Sequence, residues 1–422
     1  MKLVKVANQV SIKRSVEVGT KEQRDTVKNI IKNVRARKQE AVMAYTKQFD
    51  GVLLESLLVS SQEIEAAYRE MDPNMITVIQ EAAQNIRSYH EQQRQTSWMM
   101  TEQNGTILGQ KITPLSSVGI YIPGGTASYP SSVLMNAIPA QIAGVRRIVM
   151  VSPPDQNGKL PASVLVAASE VGIKEIYKIG GAQAIASLAY GIEGIKPVDK
   201  IVGPGNIFVA LAKREVFGDV DIDMIAGPSE IVVLADESAR VNEVAADLLS
   251  QAEHDERSSS ILVTPSESFA HKIAAEVKKQ IADLPRKDIV EKSIRNFGRI
   301  YVTRTMDEAI EVVNELAPEH LEIMTKQPVE ILGRIKHAGA IFIGRFSSEP
   351  VGDYFAGTNH VLPTNGTARF SSPLSIDDFQ KKSSVVIYSE VAFRKHAHKI
   401  AAFARLEGLE AHARAIEERM KS

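Results

Sequence analysis

Short β-branched runs that stop at Gly or Pro and open into a helix-like stretch recur along most of this chain. No other feature constrains the fold as tightly. VGIYIPGG (118–125), RIVMVSPP (147–154), EIYKIGGAQAIASLAYG (175–191), KIVGPGNIFVALAKREVFG (200–218) and EIVVLADES (230–238) succeed one another at βα spacing. Such an alternation calls for parallel strands, because parallel neighbours need a crossover connection that is usually a helix. The same signature returns in 259–284, 298–323 and 339–347, so the chain holds two α/β units.

At 422 residues the chain exceeds one ordinary core, since domains run to about 100–200 residues. The expected fold class is α/β: two Rossmann-like parallel-sheet domains, one inserted in the other, plus small helical N- and C-terminal segments. The expected boundaries are an N-terminal arm at 1–20, a larger α/β domain at 21–120 and 230–375, an inserted domain at 121–229, and a helical tail at 376–422. Thr20-Lys21-Glu22-Gln23 and Ser60-Ser61-Gln62-Glu63 match the capping-box pattern. The first precedes apolar residues at helical spacing, Val27, Ile30, Ile31 and Val34, which predicts scaffold helices. The tail is alanine-rich and amphipathic with no core of its own, so it needs a partner surface on its own chain or a neighbour.

Composition removes whole classes of function. Lys plus Arg (50) nearly cancels Asp plus Glu (51), which leaves no long-range attraction to nucleic acid or to an anionic membrane. Cysteine is absent. That excludes disulfides, thiolate ligands and a cysteine nucleophile, and restricts any metal to imidazole, carboxylate and amide donors. The opening residues are too interrupted by lysine for a secretory segment, and no run approaches the ~18 apolar residues of a membrane span. A cytoplasmic protein is expected.

Neither a G-x-G-x-x-G fingerprint, nor a Walker A loop, nor H-E-x-x-H is present. What remains are strand–turn–helix junctions at Tyr121-Ile122-Pro123-Gly124-Gly125, Gly180-Gly181-Ala182-Gln183 and Gly203-Pro204-Gly205-Asn206. Each alone reads as a plain turn. Three together point to a ligand crevice at the carboxyl ends of parallel strands. Gln251 and His254 share a helix face at i, i+3, where an amide oxygen and an imidazole can grip one metal, although a solvated helix end explains them equally well. Glu319-His320 offers two proton acceptors of different basicity, against the alternative of a surface helix terminus. The glycine-punctuated segment 352–364 carries Asp353, Asn359 and His360, a composition that suits Zn²⁺ or Mn²⁺ better than Mg²⁺. On pattern alone His412 reads as solvent-facing, and His90, His271, His337, His396 and His398 read as structural.

Taken in order, Gly203-Pro204-Gly205-Asn206, 226–230 (AGPSE), Gln251-Ala252-Glu253-His254, 317–322 (APEHLE), 357–364 (GTNHVLPT) and 407–412 (EGLEAH) resemble the histidinol dehydrogenase family over essentially the whole chain. The resemblance implies oxidation of L-histidinol to L-histidine through a bound aldehyde with two NAD⁺, one Zn²⁺ per subunit, and an intertwined homodimer. It implies zinc ligands Gln251, His254, Asp353 and His412, and proton acceptors Glu319 and His320. It implies substrate contacts from Ser229, His320, His360 and Glu407 beside the metal ligands, and an NAD site lined by Tyr121, Gln183 and Asn206. Relatives acting on other small polar alcohols, and a zinc hydrolase in which Glu319 activates water, are the competing readings.

Overall fold

The structure, a computed structural model, describes residues 1–6, 19–124, 128–225 and 227–421. Residues 7–18 of the expected N-terminal arm, Gly125 of the first glycine turn and Ala226 lie outside the described residues. In chain order the strands are β1 (Lys2–Lys5), β2 (Trp98–Thr101), β3 (Ile107–Pro114), β4 (Ser117–Tyr121), β5 (Arg147–Ser152), β6 (Glu175–Lys178), β7 (Lys200–Val202), β8 (Asp221–Ile222), β9 (Glu230–Ala235), β10 (Ser259–Thr264), β11 (Arg299–Val302), β12 (His320–Met324), β13 (Ala340–Ile343) and β14 (Gln380–Ile387).

Two of the three sheets are wholly parallel, as the βα rhythm requires. One has the order β6-β5-β4-β7-β8 and the other β1-β11-β10-β9-β12-β13. Counted from β4 and from β9, both read 3-2-1-4-5, with β1 added at the edge of the second. The strand order therefore reverses between β4 and β7 in one sheet and between β9 and β12 in the other, the positions where open α/β sheets form crevices. Strands β4, β9, β10 and β12 are buried along their whole length. Helices cover both faces, which is why these strands read as unbroken apolar runs and not as alternating ones.

Both expected capping boxes are present, with Gln23 and Glu63 reaching back to the amides of Thr20 and Ser60. The helix Lys21–Phe49 that the first one opens packs on helices Gly181–Tyr190 and Ile207–Val216, and its Val27, Ile30, Ile31 and Val34 join the core that those helices share with the five-stranded sheet. The expected boundaries group this helix with the other sheet. Its partner helices begin more than a hundred residues later, so nothing local marks the choice. Lys2–Lys5 of the expected arm is an edge strand of the six-stranded sheet, paired with β11.

The chain divides into two compact units, Met1–Gln93 with Ser116–Phe379, and Arg94–Leu115 with Gln380–Ser422. The second is a three-stranded antiparallel sheet, β14-β3-β2, with helices Glu390–Leu406 and Glu410–Glu418. The tail from 376 is thus not wholly helical. Its first part is β14, paired in register from Gln380 opposite Pro114 to Ile387 opposite Ile107. That partner lies far back in the chain, and a strand's preference is set by such neighbours more than by its own residues.

One loop of the first unit is fixed by backbone contact. Asn85 donates to the Phe355 carbonyl at 2.8 Å. Two residues on, Gly357 has φ +94°, and a Cβ there would stand 2.4 Å from the Asn85 carbonyl oxygen. Gly357→Ala should therefore cost about 2 kcal/mol through strain and displacement of the loop. Thermal denaturation should show a lowered Tm, and an unchanged Tm would contradict the placement.

Candidate active site

Of the residues singled out in sequence, Gln251, His254, Glu319, His320, Asp353 and His360 lie toward the amino-terminal edge of the six-stranded sheet, whereas Tyr121, Gln183, Asn206, Glu407 and His412 lie elsewhere. Helix Val241–Ala252 runs back from the carboxyl end of β9 and delivers Gln251 in its last turn, with His254 following. Helix Met306–Leu316 ends at Ala317, a non-glycine residue at φ +47°. This turn aims Glu319 and His320 into the start of β12, and a strained backbone of this kind persists only where its surroundings hold it. The short helix Glu349–Tyr354 carries Asp353, and the loop clamped at Gly357 carries His360.

Glu319 and His320 are buried and gripped by one residue. Glu319 Oε2 accepts the Glu230 amide at 2.8 Å, and His320 Nδ1 donates to the Glu230 carbonyl at 3.0 Å. With one proton on Nδ1, Nε2 faces Asp353 and becomes an acceptor once the carboxylates that hold the ring protonated are neutralised. It has no hydrogen-bond partner and lies 3.6 Å from Asp353 Oδ1. The half-buried Ser229 precedes Glu230, and its carbonyl accepts the Ser259 amide at 3.0 Å. His360 Nδ1 donates to the Asp353 carbonyl at 3.1 Å, and its Nε2 stands 3.4 Å from Ser132 Oγ, on the helix Pro130–Ala143 that follows β4. Asn359, next in the loop, donates to the Met135 carbonyl of that helix at 2.8 Å.

Glu349 was missed in sequence. It is 2% exposed, its Oε2 accepts from Ser250 Oγ at 3.2 Å, and its Oε1 lies 3.7 Å from His254 Nε2. His320, Glu349 and Asp353 present ligand-type atoms within 4.8 Å of one another. The signal available was spacing: Glu349 and Asp353 are i, i+4 and share a helix face.

Gln251 tests whether these residues fit a metal. Its side chain is fully buried, and both amide atoms lack a partner, a state that costs about 1–3 kcal/mol for each unmet group. A cation taking the amide oxygen, with His254 and Asp353 nearby in charge contact, would relieve it. The nitrogen and oxygen donors suit a borderline ion such as Zn²⁺. His412, in helix Glu410–Glu418, and Glu407, at the end of helix Glu390–Leu406, are exposed on the second compact unit.

The three residues of the expected cofactor site follow strands of the other sheet. Tyr121 ends β4, and its hydroxyl accepts the Gly181 amide at 3.1 Å. Burial pushes that hydroxyl up to about 12, so it stays protonated. Gln183 lies in the first turn after β6, 1% exposed, with Oε1 unpaired. Asn206 caps helix Ile207–Val216 by accepting the Phe208 and Val209 amides at 3.0 and 3.2 Å, so it also serves the turn.

Burial dominates the electrostatics. It pushes Glu319 up to about 8 and Glu349 up to about 7. Behind them Asp247 is pushed up to about 6, again by burial, and Glu322, which shares a hydrogen bond with it, is raised well above the carboxylate range. Burial alone would lower His320, but the carboxylates of Glu319, Asp353 and Glu349 outweigh it and hold the ring's proton more tightly. His254 and His360 are lowered by burial.

The raised carboxyl groups Asp247, Glu319 and Glu349 bind a proton more tightly folded than unfolded. Their contribution to stability is complete below the ordinary carboxylate range and is lost as pH rises through about 6 to 8. With chelator present, unfolding free energy from urea titrations should fall between pH 5 and 9, by roughly 1–3 kcal/mol per strongly shifted carboxyl. Glu322→Gln should flatten that decline, and stability that rises with pH over this range would contradict the assignment.

Fold and site together define an α/β protein with a buried Glu–His pair beside imidazole, carboxylate and amide groups that could hold a metal. The family model for histidinol dehydrogenase matches residues 13–420. Histidinol dehydrogenase from Geobacillus kaustophilus (strain HTA426) is 65% identical over 421 residues, covering 100% of this chain and 99% of that one. The Bacillus subtilis (strain 168) protein of the same name is 64% identical over 419 residues, covering 99% and 98%. The crystal structure of histidinol dehydrogenase from Elizabethkingia anophelis superposes with a TM-score of 0.95 at 38% identity, covering 100% and 98%. The chain belongs to the histidinol dehydrogenase family, a family of oxidoreductases. Among the described residues no helix is long and apolar enough to cross a membrane.

Proposed function

We propose that this chain oxidises L-histidinol to L-histidine with two NAD⁺, as the last steps of histidine biosynthesis in the cytoplasm, holding one Zn²⁺ per subunit. The observation that carries the reading is His320 Nε2, buried, without a hydrogen bond and 3.6 Å from Asp353: an imidazole set among ligand-type groups, which a bound cation would turn into a proton acceptor by neutralising the carboxylates that hold it protonated. Gln251, His254 and Asp353 would hold the zinc, with His412 as fourth ligand. Once bound, the ion supplies a Lewis-acidic anchor for the imidazole and amine nitrogens of the substrate. Ser229, His360 and Glu407 would complete the substrate pocket. The body formed by 121–229 would be the cofactor domain, with NAD⁺ at Tyr121, Gln183 and Asn206.

In the first step His320 Nε2 takes the hydroxyl proton as hydride leaves the carbinol carbon. With no cysteine in the chain, the aldehyde cannot be held as a thiohemiacetal, so water adds to it. Glu319, pushed up to about 8, sits near the pH at which a general base works best and accepts the proton of that water. The resulting gem-diol gives up the second hydride. The sum is alcohol plus water plus two NAD⁺ giving carboxylate, two NADH and three protons.

Purified protein with L-histidinol and excess NAD⁺ should form two NADH per substrate consumed. A single equivalent with free aldehyde accumulating would contradict the second step. Glu319→Gln should slow aldehyde oxidation about 10²–10⁴-fold and alcohol oxidation less. Equal losses in separately assayed half-reactions would reject the division of labour.

The proposed homodimer has support in the second unit, which exposes Trp98, Met99, Met100, Val386, Phe403 and Leu406. Exposed apolar groups in such number mark an association surface. If the tail completes a neighbour's site, mixing inactive His412→Ala and His254→Ala chains should restore partial activity. No recovery would mean that each chain completes its own site.

A further inference from the structure

We propose that the buried Lys213–Asp223 ion pair is a positioning device for the dinucleotide: it fixes the Gly203 turn at the mouth of the crevice between β4 and β7. The proposal rests on the reading of that crevice as the NAD⁺ site.

The two side chains are 3% and 1% exposed and in direct contact. Between them they hold both polar groups of a single residue. Lys213 Nζ donates to the Gly203 carbonyl at 3.0 Å, and Asp223 Oδ2 accepts the Gly203 amide at 2.8 Å. Gly203 follows the last residue of β7, at φ +112°, and a Cβ there would stand 2.2 Å from the Tyr121 carbonyl oxygen at the end of β4. The gripped peptide therefore sits at the point where the strand order of this sheet reverses. Lys213 lies in the last turn of helix Ile207–Val216, so its side chain ties the far end of that helix to the turn that precedes it. Asp223 Oδ1 also accepts the Met224 amide at 2.7 Å, just where the chain leaves β8 for the six-stranded sheet.

Scaffold duty alone does not call for this arrangement. Withdrawing two charges from water costs free energy that their attraction barely returns, and apolar residues of similar size often pack a helix on a sheet as well or better. An apolar pair cannot hold an amide and a carbonyl of one residue in fixed orientation. A crevice with a preset backbone binds more tightly, because ordering of the loop is not charged against binding.

The test uses full-length protein and NAD⁺ itself. In Lys213→Met/Asp223→Leu the dissociation constant for NAD⁺ should rise about tenfold or more, and KM for NAD⁺ should rise with kcat nearly unchanged. Zinc affinity, read by chelator competition, should stay near that of the parent, while Tm falls because the Gly203 amide and carbonyl lose their buried partners. A folded double variant that binds NAD⁺ within about twofold of the parent overturns the proposal. Should that variant not fold, Asp223→Asn, which keeps the shape and loses the charge, should still weaken NAD⁺ binding at least threefold, and unchanged binding overturns the proposal there too. Gln183→Ala separates the two levels. If it leaves NAD⁺ affinity unchanged, the crevice is not the dinucleotide site and the proposal falls with that reading. If it weakens binding while the ion-pair variants do not, only the proposal falls.

Discussion

Polar atoms buried without partners at the amino edge of one sheet are the constraint on which this structure turns. Gln251 is wholly enclosed with both amide atoms unmatched, and His320 Nε2 is in the same condition. Folding alone would not retain such groups, since each lowers stability by about 1–3 kcal/mol against a total margin of only about 5–15 kcal/mol. They are tolerable because the surroundings are rigid. Glu230 holds Glu319 and His320 through its own amide and carbonyl, and β9, which starts at Glu230, is buried from end to end.

The two parallel sheets share one strand order but place their chemistry at opposite ends. Tyr121, Gln183 and Asn206 follow the carboxyl ends of β4, β6 and β7, the usual place for a ligand in an open α/β sheet. Glu319, His320 and Glu230 stand at the amino ends of β12 and β9. The loop bearing Asn359 and His360 spans the two bodies, anchored on helix Pro130–Ala143 through the Met135 carbonyl and Ser132. On the proposed reading, a hydride acceptor on one body and an acid–base pair on the other would meet only if such a loop fixed their spacing, and positioning of this kind is a large share of catalysis.

What the sequence revealed was local. The βα rhythm follows from residues within one strand–helix unit, and both sheets are parallel as it required. The capping boxes at Thr20 and Ser60 depend on contacts three residues apart. Gln251 and His254 were visible because a helix puts i and i+3 on one face. Contacts between distant segments left no such mark: β14 on β3, β1 on β11, and helix Lys21–Phe49 on helices Gly181–Tyr190 and Ile207–Val216. Glu349 was overlooked for a related reason, since an acid in the first turn of a helix is ordinarily a dipole partner. Only the fold turns this one inward toward His254 and Ser250.

Anomalous diffraction at the zinc edge, from crystals of the protein loaded with one equivalent of Zn²⁺, addresses the central claim most directly. The account expects one peak per chain, within about 2.0–2.3 Å of the Gln251 amide oxygen, a His254 nitrogen and an Asp353 oxygen. A peak bound by Glu349 and His320, with the Gln251 amide still unmatched, would contradict it, because His320 could not then be the proton acceptor and the buried amide would have no reason to be there.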